Sequence, residues 1–173
     1  MNNNTFVHKY IRTLISPNDL TVDMTAGNGN DTFFLSGLSG RVVAFDISEE
    51  AIRRTKERIK DRDNVLLICD THVNADRYLD KGVRLFVFNL GYLPHSDEKN
   101  ISKAKDTLLA FQKAYSLLDE GGYIAITFYL GHPGGKDEFY LLDSYIRKNR
   151  LQITETYSQD KADAPITYIV RKI

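Results

Sequence analysis

The sequence predicts an α/β fold built on a mostly parallel sheet, and three observations carry that expectation. Short apolar runs recur at regular intervals, segments with helical periodicity separate the earlier ones, and successive runs end in an acid or an Asn just before a loop. Strands are predicted over residues 20–24, 42–46, 65–69, 83–89, 123–129, 153–157 and 166–171. Helices are predicted over 6–15, 32–38, 49–60, 73–79, 101–118 and 136–149. In the last of these, Phe139, Leu142, Tyr145 and Ile146 share one face at three- and four-residue spacing. The final two strands follow one another without a helix and are joined by the polar segment 158–165, so they are expected to pair as an antiparallel hairpin at one side of the sheet. The first dozen residues are expected to be loosely attached.

At 173 residues and 19.8 kDa the chain amounts to one domain, 1–173, with a helical lead-in over 1–18. Lys and Arg number 23 against 23 Asp and Glu, so no whole-molecule basic field exists and a polyanionic partner must be met by a local patch. The lone Cys69 excludes an internal disulfide and suits a reducing compartment. The opening residues lack a signal peptide's apolar core, and the longest apolar stretch, 123–130, is too short to span a bilayer. A cytoplasmic protein without membrane association is therefore expected.

The densest chemical signal is DMTAGNGNDT, residues 23–32, between the first strand and the first crossover helix. In an open α/β sheet that turn is where a nucleotide-like ligand sits. Gly27 and Gly29 let backbone approach a ligand, but Thr32 stands where a dinucleotide fingerprint wants its third glycine. Asp31 would also face a dinucleotide's pyrophosphate, and like charges about 4 Å apart repel by about 4 kcal/mol at an intermediate dielectric. A cation reverses that sign. S-adenosylmethionine (SAM) brings an ammonium and a sulfonium to this turn, which Asp23 and Asp31 suit. Asp31 fits a helix N-cap equally well, and Asp23 a turn.

The second strand ends in Asp46-Ile47, an acid about 20 residues past the glycine turn and placed to accept both hydroxyls of a ribose. The third ends in Asp70-Thr71-His72, where an acid or hydroxyl can meet an adenine amino group. The fourth runs into Asn89-Leu90-Gly91-Tyr92-Leu93-Pro94. There the Asn carboxamide oxygen can accept from a substrate amine, Gly91 permits a sharp turn, and Tyr92 can stack on a base. The same residues also read as an ordinary turn. After the fifth strand comes a glycine-rich loop with Gly131, His132, Gly134 and Gly135, whose His is a candidate for a catalytic role and equally for a surface one. No CxxC, HExxH or comparable cluster occurs, so no metal is expected.

The ordered set DMTAGNGNDT, FDI, NLGYLP and YLGHPGGKDE resembles the small class I methyltransferases once labelled rRNA methylases, the MnmM-type tRNA methyltransferases, over nearly the whole chain from Asp23 onward. The resemblance implies a Rossmann-like class I methyltransferase fold, with a seven-stranded mostly parallel sheet, a C-terminal antiparallel hairpin and helices on both faces. It implies SAM-dependent N-methylation of the aminomethyl group of 5-aminomethyl-2-thiouridine at the tRNA wobble position, number 34 of the tRNA. By the same resemblance Asp23, Thr25, Gly27, Asn28, Gly29, Asn30, Asp31 and Thr32 would cradle the methionine moiety. Asp46 and Ile47 would meet the ribose, and Asp70 and His72 the adenine. Asn89, Tyr92 and His132 would be catalytic, with Asn89 also near the cofactor. Gly91, Tyr92, Leu93, Pro94, Gly131, His132, Gly134 and Gly135 would receive the modified uridine.

The RNA side is read from charge. Arg53, Arg54, Lys56, Arg58, Lys60 and Arg62 interleave with acids on the second crossover helix, which favours a solvated face with i,i+4 pairs. Lys99, Lys103 and Lys105, or Arg147, Lys148 and Arg150, could reach phosphates of a tRNA anticodon stem-loop. A homodimer would join two such patches. Two further readings stay open: a SAM-dependent enzyme acting on rRNA or a small molecule, and a nucleotide-binding module without turnover.

Overall fold

The computed structural model describes residues 1–91 and 100–173, with side chains described outside 100–102. Seven strands form one sheet in the order β3-β2-β1-β4-β5-β7-β6. They are β1 Leu20–Asp23, β2 Arg41–Asp46, β3 Val65–Cys69, β4 Val83–Leu90, β5 Leu118–Phe128, β6 Gln152–Ser158 and β7 Ile166–Arg171. The pairs joining β1 through β5 are parallel, while β7 runs antiparallel to both β5 and β6. The expected Rossmann-like class I sheet and its terminal hairpin are both present. The helices are α1 Asn3–Ile11, α2 Asn30–Ser36, α3 Glu49–Arg58, α4 Asn100–Leu117 and α5 Gly135–Lys148. The segment after β3 forms a 3₁₀ helix, His72–Arg77, in place of the α-helix expected there.

Side-chain alternation along the strands divides the core in two. Phe86 and Phe88 of β4 join Phe111, Leu142 and Ile146 of α4 and α5 on one face of the sheet. Leu85 and Val87 join Val7 and Ile11 of α1 and Leu35 of α2 on the other. A one-residue register slip would exchange these sets, so the two cores fix β4 in place.

Two local expectations are corrected. The N-terminal segment is not loosely attached: Val7 and Ile11 are buried, each stabilising by roughly 1.5–3 kcal/mol before conformational entropy is subtracted. Asn3 donates to Thr167 Oγ1 at 2.9 Å and to the Pro165 carbonyl at 3.1 Å, and Phe6 stacks on Tyr157 with centroids 4.5 Å apart. Strand β5 begins at Leu118, five residues earlier than its apolar run. Leu118 pairs with Val83, and the register then shifts to Leu85 opposite Tyr123, with Gly121 at φ 76° absorbing the irregularity.

Candidate functional site

Strand order reverses beside β1, with β2 on one side and β4 on the other, and the crevice outside the carboxyl ends there is the place for a ligand in such a sheet. A cavity of about 480 Å³ opens at that point. Its wall takes residues from the ends of all five parallel strands and also from α1 and α4.

The loop after β1 forms one side. Thr25, Gly27, Asn28, Asn30 and Asp31 line the cavity, together with Met24 and Ala26. Gly27 holds φ 54°, and a Cβ there would meet nothing nearer than the Thr25 carbonyl at 3.8 Å, so backbone conformation is what calls for glycine. Gly29 has a different task and is absent from the wall. It precedes α2 at φ 79°, and a Cβ would come 2.9 Å from the Thr55 Cα, so it permits α3 to lie close. Arg54 and Arg58 of α3 reach over the loop, donating to the Asn28 side chain at 3.2 Å and to its carbonyl at 2.7 Å. Elsewhere that helix has the expected ion pairs, with Arg53 and Arg54 both bonded to Glu50.

Asp23 and Asp31 part company. Asp23 is fully buried behind the turn, accepting from the Thr25 amide at 3.0 Å and the Thr32 hydroxyl at 2.6 Å. Burial first, and the nearby Asp31 carboxylate second, push its carboxyl up to about 7. Asp23 and Thr32 therefore shape the loop from behind and do not reach the cavity, which corrects their expected place against a cofactor. Asp31 does line the wall, but it is not an N-cap: its Oδ1 lies 2.7 Å from His8 Nε2 and its Oδ2 accepts from Asn89 Nδ2 at 3.3 Å.

At the far side, Asp46 accepts the Gly27 amide on one oxygen and the Ser48 amide on the other, both at 2.9 Å. Each carboxylate oxygen has further lone-pair capacity toward the cavity. Ile47, exposed, lies beside it on the wall. Asp70 also lines the cavity, but its oxygens already accept from Tyr78, Asn74 and the Thr71 amide. Those hydrogen bonds, Tyr78 first, hold its carboxyl below the usual range. His72 donates from Nδ1 to the Met24 carbonyl at 3.1 Å, because a carbonyl can only accept. Burial lowers its pKa and so favours the neutral ring, in which Nε2 is the acceptor.

The opposite end is built around Asn89. Its backbone amide donates to Thr25 Oγ1 at 2.8 Å and its Nδ2 to Asn4 Oδ1 at 3.3 Å as well as to Asp31. Gly91, Tyr129 and His132 complete this end, with the Tyr129 and His132 rings 5.7 Å apart. Burial raises the Tyr129 phenol. Gly131, Gly134 and Gly135 are not on the wall, contrary to expectation. Gly134 takes φ 80° before α5, and a Cβ on Gly135 would overlap the Tyr129 carbonyl, so these two serve the helix start. Tyr92, Leu93 and Pro94 lie outside the described residues.

Sequence reasoning missed Asn4, Tyr129, Lys103 and Asp106 on the wall, and His8 behind Asp31. Lys103 belonged to a basic cluster considered for phosphates. Asn4 and His8 carried only a short amphipathic signal, with Val7 and Ile11 marking the buried face of α1.

Comparison with known proteins places this geometry. A family model described as "Putative rRNA methylase" matches residues 42–171. The chain belongs to this rRNA methylase family. A family relative from Arabidopsis thaliana, named tRNA (mnm(5)s(2)U34)-methyltransferase, chloroplastic, is 32% identical over 154 residues, covering 80% of this chain. The chain spans 56% of that relative's length. Among solved structures, a protein of Clostridium thermocellum described as "putative rRNA-methylase" is 35% identical with a TM-score of 0.89, covering 100% of this chain and 98% of its own. A protein of Streptococcus mutans described as "a putative methyltransferase" and solved in complex with SAH is 28% identical with a TM-score of 0.85, covering 100% and 99%. The rRNA methylase family fold is thus the Rossmann-like class I methyltransferase fold. Among the described residues, no helix is long and apolar enough to cross a membrane.

Proposed function

We propose that this chain is a SAM-dependent methyltransferase that converts the 5-aminomethyl group of wobble 5-aminomethyl-2-thiouridine in tRNA to 5-methylaminomethyl. The observation that carries the reading is the end of β4. The Asn89 carboxamide turns both protons to acceptors, Asp31 and Asn4, which leaves its carbonyl oxygen as the end that can accept from an amine in the cavity. The SAH-bound relative supports the cofactor and the Arabidopsis relative's name supports the acceptor.

The residues present fit SAM. Asp31 brings a carboxylate for its ammonium, Asp46 offers lone pairs to the ribose, and His72 Nε2 can accept from an adenine amino group. Gly27 and Asn28 contribute backbone and a short side chain between these points. When bound, SAM supplies an electrophilic methyl group on a sulfonium. The chain's task is alignment of an amine lone pair with that methyl, an effect that needs no covalent step with the protein.

Protonation is the obstacle. An alkylamine with a lysine-like pKa near 10.4 costs about 4–5 kcal/mol to present neutral at pH 7. A partly buried site beside a positive charge disfavours the ammonium form, and an attached uracil ring lowers basicity further. Asn89 accepts a hydrogen bond from the amine and so aims its lone pair. His132 positions the nucleoside or takes up the released proton.

For the RNA, among the described residues of the expected clusters Lys103 reaches the cavity wall, whereas Arg147 pairs with Asp143. The footprint is small, centred on the anticodon stem-loop, with a homodimer able to join two patches. The cytoplasm is the compartment that suits this reading. Incubation with labelled SAM and tRNA bearing 5-aminomethyl-2-thiouridine, followed by nucleoside mass spectrometry, should show a singly methylated aminomethyl product. Cofactor binding without that product overturns the acceptor.

A further inference from the structure

The reacting end of the cavity depends on a helix whose residues no motif of the first loop includes. Asn4 projects from α1 onto the cavity wall, and its Oδ1 accepts from Asn89 Nδ2 at 3.3 Å and from the Tyr129 hydroxyl at 3.5 Å. One turn along, His8 lies 2.7 Å from Asp31 Oδ1 and stacks on Phe34 with ring centroids 3.8 Å apart and planes 5° from parallel. Asp31 Oδ2 accepts the remaining contact from Asn89 Nδ2. The contact runs from Asn89 Nδ2 to the Asp31 carboxyl, so the group that Asn89 presents there is its NH₂. The second proton of that NH₂ then points to Asn4. The carboxamide is held at both N–H bonds, and its flip is determined.

We propose that Asn4, directly, and His8, through Asp31, are positioning residues that fix the Asn89 carboxamide with its carbonyl turned to the acceptor amine. The proposal rests on the N-methylation reading above and deepens it by identifying what orients the acceptor-facing group. The anchor of this device is remote. The α1 helix is held against the C-terminal hairpin by Asn3 on Thr167 and Pro165 and by Phe6 on Tyr157, while Tyr157 and Gln159 donate to the Met1 carbonyl at 2.6 and 2.7 Å. The last strands of the sheet thus set the position of the two side chains that orient Asn89.

The test is a double-mutant cycle on methyl transfer combined with a spectrum of the Asn89 amide. Asn4→Ala is expected to lower kcat about tenfold, as removal of one orienting hydrogen bond does, with the SAM dissociation constant within about twofold of wild type. In an Asn89→Ala background the same change should have no further effect on kcat, because its route of action is gone. Equal, additive losses in both backgrounds overturn the proposal and assign Asn4 a general structural role. His8→Gln, which can still donate to Asp31, should retain more kcat than His8→Leu; equal losses overturn the part played by His8. Independently of any acceptor, the Asn89 side-chain ¹⁵N–¹H₂ resonances, assigned by their loss in Asn89→Ala, should shift in Asn4→Ala and in His8→Leu. Unchanged resonances overturn the orientation itself. Shifts in the two variants, with no methylated nucleoside from the wild-type protein, refute the proposed acceptor and leave the positioning intact.

Discussion

The two ends of the cavity are built by different means. At one end, Asp46 and Asp70 stand at the tips of their own strands and are held mostly by near neighbours, Ser48 beside Asp46 and Thr71, Asn74 and Tyr78 beside Asp70, with the Gly27 amide of the first loop as the one more distant donor to Asp46. At the other, Asn89 is held by residues 85 and 58 positions away in the chain, Asn4 and Asp31. The first end is largely a local device, tied to the first loop by the Gly27 amide on Asp46 and by His72 on the Met24 carbonyl. The second exists only when α1, the first loop and β4 have all docked. The ribose and adenine contacts therefore rest mainly on near neighbours and alignment of the reacting groups on long-range packing, and substitutions should separate the two.

The largest separation is expected at Asn89. Asn89→Ala should reduce kcat about a hundredfold, the scale of a misaligned reacting group, while calorimetry finds the SAM dissociation constant within about threefold of wild type. Equal losses in both would erase the distinction between the ends. Asp46→Ala should do the reverse. It weakens SAM by about tenfold or more through the lost ribose contacts, and it also lowers the thermal midpoint because the Gly27 and Ser48 amides lose their acceptor. The kcat at saturating SAM should change least.

Asp23 sharpens the comparison from beneath the loop. Its folded pKa of about 7 lies above the ordinary 3.8, so the folded state binds the proton more tightly than the unfolded state. Its contribution to stability therefore falls as pH rises from about 4 to about 7 and levels off above that. Asp23→Asn cannot ionise, so thermal melts should show its midpoint gaining on wild type across that window, with a constant difference at higher pH. A difference independent of pH would mean that Asp23 is ionised throughout. The smallest effect is expected for Arg58→Ala on exposed α3. It removes a 2.7 Å hydrogen bond to the Asn28 carbonyl and should weaken SAM by about two- to fivefold with kcat unchanged.

Much of this is legible in the sequence. The strand tips Asp46, Asp70 and Asn89, the loop glycines and the terminal hairpin all follow from apolar runs ending in polar residues. Within the first loop, the differences from expectation have one cause. Asp23, Gly29 and Thr32 sit in the same loop as Gly27 and Asp31, and sequence proximity gave them all the same expected role. A tight turn faces two ways, however, so Thr25 and Asp31 line the cavity while Asp23 and Thr32 bond to each other behind it. The glycines after β5 are misleading for a similar reason, since close packing on the Tyr129 carbonyl and exposure to a ligand both call for a missing Cβ.

The sequence by itself determined the sheet, the order of its loops and the chemistry available at each strand end, because hydrophobic period and turn residues are local properties. Tertiary structure alone decided which face of each loop meets the cavity and that α1 closes its reacting end. Asn4 and His8 acquire their partners through the burial of Val7 and Ile11 against the sheet and the anchoring of Asn3 on β7. Those contacts span most of the chain, and a short helix carries no local mark of what its exposed side will touch.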